Sequence, residues 1–153
     1  LNEKGLQYAN SYQVAREVVQ TAMADDRNLN FFFDIHRDAQ RREITTTTID
    51  GETYSRLFFV VGKAHKNYEQ NLRFANTLHE MINEAYPGLS RGVITKDDSQ
   101  GNGIYNQDLS SNAVLLEFGG VDNSMEENFR TAEALADVFS AYYWQAEKVS
   151  NEK

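Results

Sequence analysis

Phe31-Phe32-Phe33-Asp34-Ile35-His36 decides the fold. The run is short, apolar and aromatic-rich, and Asn28 and Asn30 break the chain just before it, which reads as a buried strand. A second run of the same kind, Ala113-Val114-Leu115-Leu116-Glu117-Phe118, lies far downstream. Each carries an ionisable residue near its carboxyl end, His36 in the first and Glu117 in the second. Arg91 to Lys96 supplies another strand, and Thr45 to Ile49 and Thr53 to Val61 flank Asp50-Gly51, a strong short hairpin signal.

Helical periodicity fills the spaces between these runs. Ser11 to Ala24, capped by Asn10 or Ser11, places Ala15, Val18, Val19 and Ala22 on one face. A second helix begins near Asn67, where Asn67 and Gln70 have capping-box spacing, and turns Tyr68, Leu72, Ala75, Leu78 and Ile82 inward until Pro87 and Gly88 end it. A third starts with Ser124 and Glu127 in the same spacing, buries Met125, Phe129, Ala132, Leu135 and Phe139, and ends near Tyr143 or Ala146. Asp97 to Asn112 reads as a surface loop and Lys148 to Lys153 as a frayed tail. Strands alternating with helices predict an α/β fold: a three-layer domain with a mixed central sheet flanked by helices, to which the hairpin adds antiparallel character.

The chain has 153 residues, of which 41% are aliphatic or aromatic, enough for one globular domain and too few for two typical ones. Lysines and arginines number 15 against 23 acidic residues, a net charge of −8. Nucleic acid and anionic bilayer surfaces both require a basic patch, so neither is an expected partner. An anionic wall polymer would have to be recognised through a specific site. With no cysteine, disulfides, thiolate metal sites and a cysteine nucleophile are excluded. No apolar run has the length of a bilayer span. Because the chain opens at Leu1, any export signal or membrane anchor is expected to lie upstream of it.

Ligands bind beyond the carboxyl ends of strands in open α/β sheets, which is where His36 and Glu117 fall. A charged side chain among apolar residues costs free energy unless it has a partner or a task. Histidine can ligate zinc, and an unligated glutamate can move a proton from water to a leaving amine. Each residue also has a structural reading, the histidine hydrogen-bonded at a strand end and the glutamate in a loop or near a helix dipole. Spacing alone does not choose between them.

Further motifs narrow the choice. Asp34-Ile35-His36-Arg37-Asp38 is followed by Gly62 with Tyr68 and Asn71, by Tyr86-Pro87-Gly88-Leu89, by Tyr105-Asn106-Gln107-Asp108 and by Leu115-Leu116-Glu117-Phe118-Gly119-Gly120. In this order they resemble the stage II sporulation protein P family, related to the zinc-dependent N-acetylmuramoyl-L-alanine amidases, from Gly5 to about Ala141. The resemblance implies an amidase fold with one zinc held by two histidines and a glutamate. It makes His36 a zinc ligand and Glu117 the catalytic acid/base. It also implies cleavage of the amide between N-acetylmuramic acid and L-alanine, with cutting of the stem-peptide cross-link credited to the sporulation branch. The implied setting is extracytoplasmic, anchored between the mother-cell and forespore membranes during engulfment, with peptidoglycan as substrate and stage II sporulation protein D as partner.

The family's other histidine and its glutamate ligand belong to an earlier motif that this chain does not contain, so the expectation is an N-terminally truncated amidase domain over residues 1–153. Zinc should then bind weakly or not at all, and His36 should be solvated or hydrogen-bonded to a nearby carboxylate such as Asp34 or Asp38. His79 reads as solvated beside the buried stripe of its helix, and His65 as a loop residue without a metal role. Arg37 and Asp38 read as a solvated pair that could also orient the ligand or touch substrate, and Asp34 as a partner to the imidazole. Arg16 and Tyr105 to Asp108 match the family without a role that spacing supplies, and Tyr142, Tyr143 and Trp144 read as core. The alternative is a non-catalytic remnant that binds wall peptide or a partner protein through the same cleft. No Gly-x-Ser-x-Gly elbow supports an unrelated α/β hydrolase.

Overall fold

The computed structural model describes residues 10–151, so Leu1, Gly5 and the last two residues of the tail lie outside it. In chain order the elements are α1 (Ser11–Asp25), β1 (Phe31–His36), α2 (Arg42–Thr45), β2 (Thr46–Ile49), β3 (Glu52–Ser55), β4 (Leu57–Gly62), α3 (Tyr68–Ala85), β5 (Ser90–Lys96), β6 (Asn112–Phe118) and α4 (Met125–Asn151). A four-stranded sheet has the order β1-β6-β4-β5. β1 runs parallel to β6, β6 antiparallel to β4, and β4 parallel to β5. The fold is therefore α/β with a mixed sheet.

Alternation along the strands sorts side chains onto two faces. Leu57, Phe59 and Val61 of β4 join Val114, Leu116 and Phe118 of β6 in the main core, closed by Phe74, Leu78 and Ile82 of α3 and Leu135 and Val138 of α4. Val60 and Leu115 point the other way, into a smaller cluster with Tyr105, against which Tyr12, Phe58 and Ile94 pack. α1 lies on that second face and is bound to it mainly by polar groups. Arg16 clasps Asp108 through two hydrogen bonds of 2.8 Å, and the Asn106 amide donates to the Tyr12 carbonyl at 2.8 Å.

The face predicted for the first helix is not buried. No residue of α1 is fully buried, and Val18 is 65% exposed. Ala15 and Val19 only line a cavity of about 160 Å³ between α1 and the sheet. The hairpin forms at Asp50-Gly51, where both residues take the positive φ (51° and 85°) that a two-residue turn demands. It stands apart, however, as a two-stranded ribbon. The predicted run Thr53 to Val61 breaks at Arg56, whose N–H donates to Thr45 (2.7 Å) while the next N–H, of Leu57, donates to Leu89 (2.9 Å). Antiparallel character enters the sheet through β4 and β6 instead.

Asn67 precedes α3 without a side-chain cap, so the predicted capping box there does not form. At α4 it does. The Glu127 N–H donates to Ser124 Oγ (3.3 Å) and the Ser124 N–H to Glu127 Oε2 (2.9 Å). The buried stripe of α4 nonetheless differs from the predicted one: Met125 and Phe129 are each 62% exposed and Ala132 is exposed, while Glu127, Thr131, Ala134, Leu135 and Val138 turn inward. Polar pairing at the contact with β3 sets this rotation. Thr131 Oγ1 donates to the Ser55 carbonyl (2.6 Å) and accepts from Ser55 Oγ (3.0 Å), so both hydroxyls are satisfied without water. α4 runs to Asn151, beyond the end read from the sequence, and Trp144 is exposed while Tyr142 and Tyr143 pack on Phe31.

Asp97 to Asn112 is more than a surface loop. Gln107 is buried, donating through Nε2 to the Val60 carbonyl (2.9 Å) and accepting from the Gly62 N–H (3.0 Å). Buried Asn71 of α3 donates its amide to the carbonyls of Ser110 (2.7 Å) and Ala113 (2.8 Å). Among the described residues no helix is long and apolar enough to cross a membrane.

Glu127 is nearly enclosed and holds Arg42 through both carboxylate oxygens, with Asn123 donating as well (3.0 Å). Hydrogen bonding from Arg42, joined by the Ser124 N–H and the Asn123 amide, lowers its pKa from 4.5 to about 2. A folded pKa below the unfolded one means stability is present above about pH 4.5 and is lost as pH falls toward 2. Glu127→Gln should cost about 2 kcal/mol at neutral pH, because one carboxylate oxygen becomes an NH₂ facing the donors of Arg42 or Asn123 and the charge on Arg42 loses its partner, and it should flatten that acid dependence. Urea midpoints between pH 2 and 7 check both.

Candidate active site

Pairing between β1 and β6 is residue for residue, and it sets His36 opposite Glu117. Strands lie about 4.8 Å apart, so the two side chains rise from neighbouring points on the same face. Asp34 is two residues back on that face and meets His36 Nε2 through Oδ1 at 3.0 Å. With Nε2 on the Asp34 carboxylate, Nδ1 is the ring nitrogen left for another partner. The ring is backed by Tyr12 of α1, near-parallel at 11° with centroids 6.3 Å apart. His36 thus turns to Asp34.

Glu117 is half-buried, and its Oε2 is enclosed with no hydrogen-bond partner among the described residues. Burial raises its pKa above 4.5; the Asp38 charge adds to the rise, and His36, Lys96 and Arg91 oppose it. Both ring nitrogens of His65 and the side-chain oxygens of Asn71 and Asn128 are likewise buried without a partner, but of these unpaired groups Glu117 alone is a carboxylate, for which the lack of a donor costs most.

Asp38 and Arg37 do not form a solvated pair. After β1 the chain crosses the end of β6, where the Asp38 N–H donates to the Gly119 carbonyl at 2.9 Å. The Asp38 carboxylate then accepts from Arg91 Nη1 at 2.6 Å, and Arg37 is left exposed. Arg91 lies over the Phe58 ring, 4.7 Å from its centroid. The Gly119-Gly120 turn permits this crossing. Gly119 has φ +57°, and a Cβ on Gly120 would fall 2.2 Å from the Gln40 carbonyl oxygen.

His36, Glu117, Phe58 and Arg91 therefore form a row across the sheet, one from each strand, on the face away from the main core. Sequence reasoning missed Phe58 and Arg91. The available signal was Gly92, an isolated glycine inside a strand, which marks a bulge or close approach.

The remaining candidates lie elsewhere. His79 is not solvated: its Nδ1 meets Ser90 Oγ at 2.7 Å between α3 and β5, on the opposite face. His65 follows β4, whose carboxyl end is at the other edge of the sheet from His36, and burial lowers its pKa. Arg16 and Tyr105 to Asp108 hold α1 and the loop to the sheet. The orphaned oxygen of Glu117 and the carboxylate-oriented ring of His36 suit one ligand and one proton carrier of a zinc centre. They do not complete it, since among the described residues no three of histidine, aspartate and glutamate converge to hold a metal.

Comparison with known proteins identifies the family. The family model for stage II sporulation protein P matches residues 1–140. Stage II sporulation protein P of Bacillus subtilis (strain 168) is 55% identical over 150 residues, covering 98% of this chain and 37% of that relative. The chain thus spans little more than a third of its relative's length. No solved structure matches it. With the motifs in register along nearly all of its length, the chain belongs to the stage II sporulation protein P family.

Proposed function

We propose that this chain is the larger part of a zinc-dependent peptidoglycan hydrolase domain that cleaves the amide between N-acetylmuramic acid and L-alanine. The observation that carries the reading is the register pair His36 and Glu117, with Glu117 Oε2 buried and unpartnered. A three-layer, amidase-like architecture fits the helices α3 and α4 on one face of the mixed sheet and α1 on the other.

His36 is one protein ligand, oriented by Asp34. The others come from parts of the full-length protein that this chain does not include. When bound, zinc supplies polarisation of the scissile carbonyl and acidifies its water. Glu117 takes the water's proton and delivers it to the departing L-alanine nitrogen. Its raised pKa brings it nearer the working pH than an exposed carboxylate, which suits a group that must both accept and release a proton. Tyr12 and Phe58 flank the pair with rings and limit water at the reacting centre.

In the full protein this activity serves engulfment during sporulation, outside the cytoplasmic membrane and anchored by an upstream segment. Stage II sporulation protein D is the partner, and the stem-peptide cross-link a further scissile bond. A second reading, wall-peptide binding without cleavage, draws on the incomplete ligand set among the described residues.

In the full-length protein Glu117→Gln should lower hydrolysis of purified peptidoglycan by about 10²–10⁴-fold with the zinc content unchanged. Wild-type turnover in that variant would overturn the acid/base role, and an inactive wild type would favour the binding reading. Zinc measured by atomic absorption should be stoichiometric in the full-length protein and lost in His36→Ala. The 153-residue chain alone should hold little, and a tight equivalent on it would refute a ligand set completed from outside.

A further inference from the structure

Arg91 owes its position to an irregularity. Leu57 of β4 pairs with Ser90 and Phe59 with Val93, so Phe58 faces both Arg91 and Gly92. This is a bulge, uncommon between parallel strands, and Gly92 takes φ +123° within it. Ser90 and Val93 both stay on the α3 face, where Ser90 meets His79 and Val93 packs on the main core. Regular alternation would put Arg91 on the same face as Val93. The extra residue turns it to the other side, onto Phe58 and into the row with Glu117 and His36.

The guanidinium there is underused. Its side chain is 13% exposed, and Nη1 bonded to Asp38 is its one hydrogen bond among the described residues, out of five N–H donors in a planar fork. Neither Nη2 nor Nε is among the sealed, unpaired polar atoms, so both keep contact with solvent. Arg56 stands close by. Its pKa is lowered by burial and by the positive charge of Arg91, so two guanidiniums share this corner of a chain with net charge −8.

We infer that Arg91 is a carboxylate-binding subsite for the peptide released by hydrolysis, set by the Gly92 bulge at the far end of the row from His36. The proposal rests on the hydrolase reading above. Glu117 stands between His36 and Arg91, and the leaving nitrogen takes its proton from Glu117. The departing peptide therefore lies over Phe58 toward Arg91. From β6 across β4 to β5 is about 10 Å, and an extended peptide covers about 3.5 Å per residue, so the recognised carboxylate lies within the first three residues released. A planar fork with one arm on Asp38 can hold a second carboxylate with the other. The substrate class is thus an acidic wall peptide with a free carboxylate near its amino end.

The test uses the full-length protein and a synthetic stem peptide beginning with L-alanine, either with free carboxylates or with carboxamides in their place. Calorimetric titration should show the free acid binding at least about tenfold tighter than the amide in wild type. Arg91→Gln should abolish that preference and Arg91→Lys should narrow it, because an ammonium keeps the charge without the fork. Equal affinity of wild type for both peptides, or no binding of either, would overturn the subsite, and this comparison stands even where a variant fails to fold. A preference that survives unchanged in the folded variants would assign the carboxylate to another cation and equally overturn it. A wild type that hydrolyses no peptidoglycan yet keeps the preference would sink the catalytic reading and leave the carboxylate site standing as a peptide-binding one.

Discussion

Phe31 and Phe33 pack edge-on against Phe139, each with centroids 5.1 Å away, and lean on Phe74 at 5.7 and 6.0 Å. These contacts fix more than a core. β1 has a single neighbour in the sheet, and a slip of one residue along β6 would exchange its two faces. Two phenylalanines would then leave the aromatic cluster while Asp34 and His36 entered it, an ion-bearing pair in an apolar place. The aromatic packing on one side of the strand is therefore what holds His36 beside Glu117 on the other. The geometry of this pair is set by apolar contacts on the opposite face of the strand.

Mixed strand direction has a second consequence. β1 and β6 deliver their carboxyl ends to the edge of the sheet where β4 and β5 begin. A parallel sheet gathers its functional residues from strand ends alone, whereas here half of the row comes from strand starts, Phe58 and Arg91. Asp38 joins the halves: its backbone rests on Gly119 beyond β6 and its carboxylate reaches across to Arg91 on β5. The close approach at Gly120 lets that crossing lie flat on the sheet.

That arrangement explains what could be read beforehand. His36 and Glu117 were legible because they close apolar runs, where period and chemistry disagree openly. Most of the strands, the buried stripe of α3 and the capping box of α4 were legible for similar local reasons, whereas the break at Arg56 was not. Arg91 was not, because its orientation comes from a bulge, and nothing in Ser90-Arg91-Gly92-Val93 other than the glycine announces one. α1 failed differently. Its apolar residues have helical spacing, but the helix is fastened by the Arg16–Asp108 pair rather than by burial, so a periodicity argument expected a buried face where a polar clasp exists. The stripe of α4 was misread because Glu127 and Thr131 turn inward; polar residues that satisfy one another across a contact look, in sequence, like the solvent side.

Two glutamates show how to tell structure from function in such a fold. Glu127 and Glu117 both leave water in part or almost wholly. The first meets a guanidinium, an amide and a backbone N–H, and its pKa falls to about 2. The second keeps an oxygen with no partner, and its pKa rises. Burial acts against the charge in both; only the supply of donors differs. A fold that furnishes Glu127 so fully has no shortage of donors, and Arg91, with free N–H groups, lies in the same row as Glu117. Arg91 is turned to Asp38 instead, so Glu117 is not locked to a guanidinium and burial raises its pKa. The bulge at Gly92 thus brings a cation into the cleft while the Asp38 crossing keeps it off the carboxylate.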